Sequence, residues 1–273
     1  MAVLRFTKMH GLGNDYLYVL GNPDKALERY GISAPDMSRR LSERHFGAGS
    51  DGMIWIAPSE AADCAMRIFN ADGSEAMMCG NGIRCVAKYA YERGLVDRMR
   101  MKIETLSGIR EVAVEADVRG RVLRASVDMG AAEVGKRLVV EAGEALSCVP
   151  VNVGNPHAVV FVEDAERAPV GEAGPIVEHS PQFPDGVNVE FVEVRGRSEL
   201  RMRVWERGSG ITMACGTGAC VSVAAALACG LVEGGAPVTV CLDGGCLDVF
   251  AREDGALVMA GPAEFVYEGE VEL

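Results

Sequence analysis

Two cysteines in this 273-residue chain each precede a Gly-x-Gly step at the start of an apolar, helix-like run: Cys79-Gly80-Asn81-Gly82 and Cys215-Gly216-Thr217-Gly218. The surroundings match as well. Met66-Arg67 before the first cysteine repeats as Met202-Arg203, and the closing Gly94-Leu95-Val96 repeats as Gly230-Leu231-Val232, all at one offset of 136 residues (215 − 79, 202 − 66, 230 − 94). A constant offset over such a span marks an internal duplication. The first N–H groups of a helix have no partners within it, and glycines let a ligand come close to that backbone. Such an end attracts anions and favours thiolate at a cysteine placed there. Two related thiols suit proton removal and return on opposite faces of a carbon next to a carboxylate, which inverts the configuration. The alternative for either motif taken singly is a cysteine packed at a helix start, with glycines serving the turn.

The elements that must hold these cysteines read as follows. Short valine-rich runs bounded by turn residues predict strands at 16–20, 53–57, 65–69, 100–105, 111–115 and 122–127, and again at 158–162, 187–194, 200–205, 238–242, 247–251 and 257–260. Helices are predicted at 35–44, 81–93 and 217–229, the last apolar nearly all round and so enclosed by its domain. The stretch 169–185, with its prolines and glycines, reads as an extended loop. Many strands with one central helix per half predict an α+β protein of two pseudo-symmetric domains. Each domain is a curled, mainly antiparallel sheet wrapped around a central helix, with the seam at 127–135. Weaker echoes extend the duplication: Gly13-Asn14 before one strand and Gly154-Asn155 before another, Asp51-Gly52 and Asp185-Gly186 likewise.

Bulk composition narrows the function. The net charge of −12, from 39 acidic and 27 basic residues, argues against nucleic acid or an anionic membrane as partner. No apolar run has the length of a membrane span or a signal peptide, so a cytoplasmic protein is expected. Nine cysteines without a Cys-x-x-Cys pair, and only four histidines, predict neither a disulfide framework nor a metal site. Cys64, Cys85, Cys148, Cys220, Cys229, Cys241 and Cys246 read as reduced packing residues. Gly47-Ala-Gly-Ser-Asp-Gly52 matches G-x-G-x-x-G but precedes a strand rather than a helix, so it is no dinucleotide fingerprint. None of the five lysines sits beside a phosphate-cradling loop, so no pyridoxal phosphate is expected.

Asn70-Ala-Asp-Gly-Ser-Glu-Ala-Met-Met-Cys79-Gly-Asn-Gly-Ile-Arg-Cys85 resembles the first signature of the diaminopimelate epimerase family. Glu206-Arg-Gly-Ser-Gly-Ile-Thr-Met-Ala-Cys215-Gly-Thr-Gly-Ala-Cys220 resembles the second. Lys8-Met-His-Gly-Leu-Gly-Asn-Asp15, Gly154-Asn-Pro-His157 and Gly186-Val-Asn-Val-Glu190 resemble further family segments in the right order. The resemblance implies cofactor-independent interconversion of LL- and meso-2,6-diaminopimelate, on the path to lysine and peptidoglycan precursors, by a homodimer. It implies Cys79 and Cys215 as the two catalytic bases, with His157 and Glu206 assisting proton transfer. It implies Asn14, Asn70, Asn155, Asn188, Glu206 and Arg207 as substrate-binding side chains, and Gly80, Asn81, Gly216 and Thr217 as backbone donors. It also implies that 262–273 pack back on the first domain, giving domains of 1–127 with that tail and 128–261. Gly52, where some members carry glutamine, and Ile211, where glutamate is common, depart from the pattern.

Amides that both donate and accept suit a zwitterion, and an arginine suits a distal carboxylate through a bidentate contact. Each of those asparagines taken alone reads rather as a turn residue. Two rival functions stay open on the sequence. A proline racemase or hydroxyproline epimerase shares the two-base logic but needs no distal charged contacts. A redox sensor would use a Cys79–Cys215 disulfide as its purpose; in an epimerase that bond is expected only as a route to inactivation.

Overall fold

The computed structural model of the chain describes residues 2–273, so position 1 of the expected N-terminal domain lies outside it. Two compact units emerge, Met1–Val127 with Gly261–Leu273 and Asp128–Ala260. The first contains strands β1 (Val3–Gly11), β2 (Asn14–Leu20), β3 (Gly52–Ala57), β4 (Cys64–Asn70), β5 (Glu75–Ala76), β6 (Arg100–Thr105) and β7 (Gly108–Ala116), with helices α1 (Ala26–Tyr30), α2 (Ala34–Ser42) and α3 (Gly80–Glu92). The chain crosses to the second unit within β8 (Val122–Ala131). There it forms β9 (Glu133–Val134), β10 (Leu138–Ala142), β11 (Glu144–Asn152), β12 (Pro156–Val162), α4 (Val170–Glu178), β13 (Asn188–Gly196), β14 (Glu199–Glu206), β15 (Gly210–Ile211), α5 (Gly216–Ala228), β16 (Val238–Leu242), β17 (Gly245–Ala251) and β18 (Ala256–Gly261). A last strand, β19 (Glu264–Glu272), pairs antiparallel with β1.

The duplication is visible in the strand order. In the first unit the sheet runs β19-β1-β2-β3-β4-β6-β7-β8; every neighbouring pair is antiparallel except β2–β3 and β4–β6. In the second it runs β10-β11-β12-β13-β14-β16-β17-β18, with β12–β13 and β14–β16 as the parallel pairs. Register agrees residue by residue: Met53 faces Phe69 as Val189 faces Trp205. Each sheet bends around its long helix, α3 touching β1 and β2 as well as β6 and β7, and α5 touching β11 to β14 as well as β16 and β17. This is the α+β architecture read from the sequence.

The helices form where expected, for local reasons. Ser33 accepts the Asp36 amide at the start of α2, and Cys79 and Cys215 do the same for α3 and α5. Helix α5 is enclosed, with Ala219, Cys220, Val221, Val223, Ala225 and Ala226 all buried. Helix α3 is buried as well although it carries Arg84 and Lys88. Lys88 donates to the Val122 carbonyl at 2.7 Å, and Arg84 donates to the carbonyls of Gly80 and Pro262 at 3.1 and 3.2 Å.

Two expectations are corrected. The segment 169–185 is not all loop, because Val170–Glu178 is helical with Pro175 inside it. Val170, Ala173 and Val177 form one buried face, and Gly174 lets α4 approach Trp205 so closely that a Cβ there would lie 2.6 Å from the Trp205 Cβ. Tertiary burial outweighs proline's helix penalty here. Cys241 and Cys246 are not reduced packing residues but a disulfide. The β16–β17 register sets them directly opposite with Cα atoms 4.1 Å apart, a pairing that counting cysteines does not reveal.

Candidate active site

Each unit carries a cluster of candidate residues around a cysteine at the start of its long helix. In the first, Cys79 is the N-cap of α3, and its Sγ accepts the Gly82 amide at 3.3 Å. The thiol donates to Asn14 Oδ1 at 3.4 Å, and the same oxygen accepts from Asn81 Nδ2 at 3.4 Å. Asn14 is delivered by the tight β1–β2 hairpin, in which Leu12 and Gly13 both adopt positive φ. It is held from behind by Asp51, which accepts from Asn14 Nδ2 at 2.8 Å and from the Asp15 amide at 3.1 Å. Burial raises the Asp51 carboxyl, against the lowering effect of those two hydrogen bonds. The Tyr16 hydroxyl lies within reach of Asn14 and Cys79, and burial followed by the nearby sulfur pushes its pKa well up. Asn70 ends β4 and donates to Ser74 Oγ at 3.0 Å.

In the second unit Cys215 caps α5, and its Sγ accepts the Gly218 amide at 3.3 Å. Thr217 Oγ1 lies 3.4 Å from the same sulfur. Glu206, at the end of β14, accepts from the Thr212 hydroxyl and hydrogen-bonds Cys215. His157 on β12 meets Glu190 on β13 through Nδ1 and Oε1 at 2.7 Å, with both side chains fully buried. Asn188 accepts the Arg207 amide at 2.9 Å and donates to the Pro156 carbonyl at 3.2 Å. The exposed Arg207 guanidinium rests on the Asp185 carbonyl at 2.8 Å. Asn155 is half-buried in the turn before β12, where its carbonyl accepts the Val153 amide at 3.4 Å.

The electrostatics correct one expectation. A helix start alone lowers a thiol's pKa, yet Cys215 is raised well above the ordinary value. Burial is the largest cause, followed by the carboxylates of Glu206 and Glu190; the Thr217 and Gly218 hydrogen bonds oppose it without prevailing. Glu206 is itself raised, by burial first and then by Glu190, while the Thr212 hydrogen bond and His157 pull it down. From the sequence alone Glu190, Tyr16 and Asp51 carry no site role, although Glu190 closes a family segment and Asp51 belongs to a repeated Asp-Gly step. For Glu190 a signal existed: a glutamate inside the run Val187-Asn-Val-Glu-Phe-Val192 puts a charge where a buried strand is expected.

Among the described residues no group of three or more His, Cys, Asp or Glu is arranged to hold a metal ion, and no helix is long and apolar enough to cross a membrane.

The fold has solved counterparts. A PhzF-family phenazine biosynthesis protein from Bacillus anthracis superposes with a TM-score of 0.77 at 17% identity, with 100% of each chain covered. A hydroxyproline epimerase from Agrobacterium vitis superposes with a TM-score of 0.73 at 16% identity, covering 99% of this chain and 93% of that one. Sequence adds more. The family model described as diaminopimelate epimerase matches residues 6–135 and 149–266. Diaminopimelate epimerase from Bacillus licheniformis is 47% identical over 285 residues, covering 99% of both chains. That from Geobacillus kaustophilus is 47% identical over 284 residues, covering 98% of this chain and 97% of its own. Fold and sequence together define the class, an amino-acid epimerase. Within that class, the chain belongs to the diaminopimelate epimerase family.

Proposed function

We propose that the chain interconverts LL- and meso-2,6-diaminopimelate by two-base proton transfer at the α-carbon, without a cofactor. The observation that carries this reading is the matched pair of cysteine caps, each sulfur held by the amide three residues on. One thiolate removes the α-proton, and the other thiol delivers a proton to the opposite face. The carbanion's charge spreads into the α-carboxylate, where the first amides of α3 and α5 (Gly80, Asn81, Gly216 and Thr217) act as donors. Preorganised donors of this kind lower the barrier without reorganising during reaction. Burial and two carboxylates keep Cys215 protonated at rest, so Cys215 acts first as the acid and Cys79 first as the base. After turnover the roles are exchanged, which lets the enzyme run in both directions. His157 and Glu206 assist at Cys215, whereas Asn14, Asn70, Asn155, Asn188, Glu206 and Arg207 bind the substrate's ammonium and carboxylate groups. Supply of meso-diaminopimelate for lysine and peptidoglycan precursors, a cytoplasmic location and a homodimer belong to the same reading. The family resemblance supports all three.

Loss of the α-proton NMR signal of each diaminopimelate isomer in deuterium oxide, with and without pyridoxal phosphate, tests the proposal. L-Proline is the comparison substrate. Exchange with diaminopimelate alone, independent of pyridoxal phosphate, is expected; turnover of proline in preference would favour the proline racemase reading. Cys79→Ala and Cys215→Ala each abolish epimerisation, and measurable inversion by either variant refutes the two-base scheme. Cys→Ser at one site leaves slow exchange from one isomer without inversion.

A further inference from the structure

The matching registers give the β12, β13 and β14 residues near Cys215 counterparts on β2, β3 and β4 near Cys79, and the halves differ where chemistry is concerned. Tyr16 stands where His157 stands, Ile54 where Glu190 stands, and Asn70 where Glu206 stands. The comparison at Glu190 is the most informative. Both Ile54 and Glu190 pack against the third helix residue. Ile54 Cδ1 lies 2.6 Å from where a Gly82 Cβ would be, and Glu190 Oε1 lies 2.9 Å from where a Gly218 Cβ would be. An aliphatic side chain therefore fills this slot in the same fold, so packing does not call for a carboxylate. Burying one is costly unless it is fully paired. Glu190 is paired on one oxygen only: Oε2 and His157 Nε2 are both buried without a hydrogen-bond partner. A purely structural pair would satisfy these atoms.

We propose that Glu190 is a positioning residue for His157, its carboxylate accepting the Nδ1–H and so fixing the imidazole in the tautomer whose Nε2 is a bare acceptor. This inference rests on the two-thiol reading above and deepens it. A carboxylate on one imidazole nitrogen sets which proton the other can take, and stabilises the imidazolium that forms when it does. The other titratable groups facing the pair are Glu206 from β14 and Cys215 from the start of α5. The first cluster, with Tyr16 and Ile54, has no such dyad. Among the described residues the imidazole–carboxylate pair thus stands on one side only, beside Cys215, whose thiol burial keeps protonated.

The test combines one measurement independent of turnover with one that depends on it. Imidazole nitrogen NMR of the ligand-free protein reads the His157 tautomer directly; protonated Nδ1 with bare Nε2 is expected in the wild type and is lost in Glu190→Gln. An Nε2-protonated wild type overturns the inference whether or not the protein epimerises diaminopimelate. Turnover in both directions is then followed against pH for Glu190→Gln, His157→Gln and the double variant, with melting temperatures confirming the fold. Glu190→Gln is expected to lower kcat about 10²-fold, the lower end of a general acid–base contribution, with KM within about threefold and one limb of the pH profile displaced. The double variant loses no more than His157→Gln alone, as expected for residues acting as one unit. Glu190→Asp recovers part of the loss. Should Glu190→Gln fold poorly, Glu190→Ile, which installs the residue of the first half, serves in its place. A wild-type pH profile with kcat within about threefold of wild type, or losses that multiply in the double variant, overturns the inference. Absence of diaminopimelate exchange by the wild type would instead count against the function itself.

Discussion

At the scale of single residues, the charge around Cys215 decides how its surroundings behave. Glu206 and Cys215 are both raised by burial, so the folded state holds their protons more tightly than the unfolded chain does. Their contribution to stability is full below the unfolded values, near 4.5 for the carboxyl and 9.0 for the thiol, and is lost as pH rises through the folded values. Glu206→Gln keeps the Thr212 hydrogen bond but removes this titration. It is therefore expected to lose activity by about 10²-fold while melting higher than wild type at pH 8, a gain that vanishes at pH 4. Denaturation scans across pH measure it, and an equal advantage at both pH values would contradict the account. The same burial should protect Cys215 from alkylation. Iodoacetamide is expected to label the half-buried Cys79 at least about tenfold faster, read by peptide mass spectrometry of the ligand-free protein.

At the scale of elements, the cysteine-capped helices are related parts with different tolerances. A Cβ at Gly82 meets the far end of the flexible Ile54 side chain at 2.6 Å, and the Cys79 Cβ and Sγ at ordinary contact distances. A Cβ at Gly218 meets a carboxylate pinned to His157 at 2.9 Å, and Cys215 Cβ and Sγ at 3.2 Å. Gly82→Ala is thus expected to cost about 1 kcal/mol of stability at most and to leave kcat within about threefold. Gly218→Ala should displace the sulfur and the carboxylate, and a shift approaching 1 Å costs about 10²-fold in rate. Steady-state kinetics of the two variants side by side provide the check; equal effects would show that the second slot has as much give as the first.

At the scale of the whole chain, the first unit is assembled from both ends of the sequence. Strand β19 pairs along β1, Val271 and Leu273 pack on the cluster around Leu4, Phe6, Leu17 and Trp55, and the Pro262 carbonyl accepts from buried Arg84. Deleting 262–273 removes all three supports. Limited proteolysis with mass mapping is expected to degrade the first unit of that truncated chain rapidly and to leave a fragment close to 128–260. Survival of residues 2–127 would mean that β19 contributes little to holding this unit.

Much of this was legible in the sequence because its causes are local. The cysteine caps of α3 and α5, the enclosed character of α5 and most strands follow from which groups a helix start leaves unpaired and from apolar periodicity over a few residues. The strand Val3–Gly11 is not legible locally because Lys8 and His10 interrupt its pattern, nor is Glu144–Asn152 because it carries Pro150. Helix α4 is not legible locally because its proline and glycines are local breakers overruled by packing on Trp205. The Cys241–Cys246 bond, the Asp51 support behind Asn14 and the Glu190–His157 pair depend on register between strands and on loops distant in sequence. By itself the sequence determined the duplication, most of the elements and the placing of two thiols at helix starts, since nearest neighbours along the chain set these. Only the tertiary structure decided the protonation of Cys215, because an ionisation energy sums over all charges and lost water around a group, and strands far apart in sequence supply most of both.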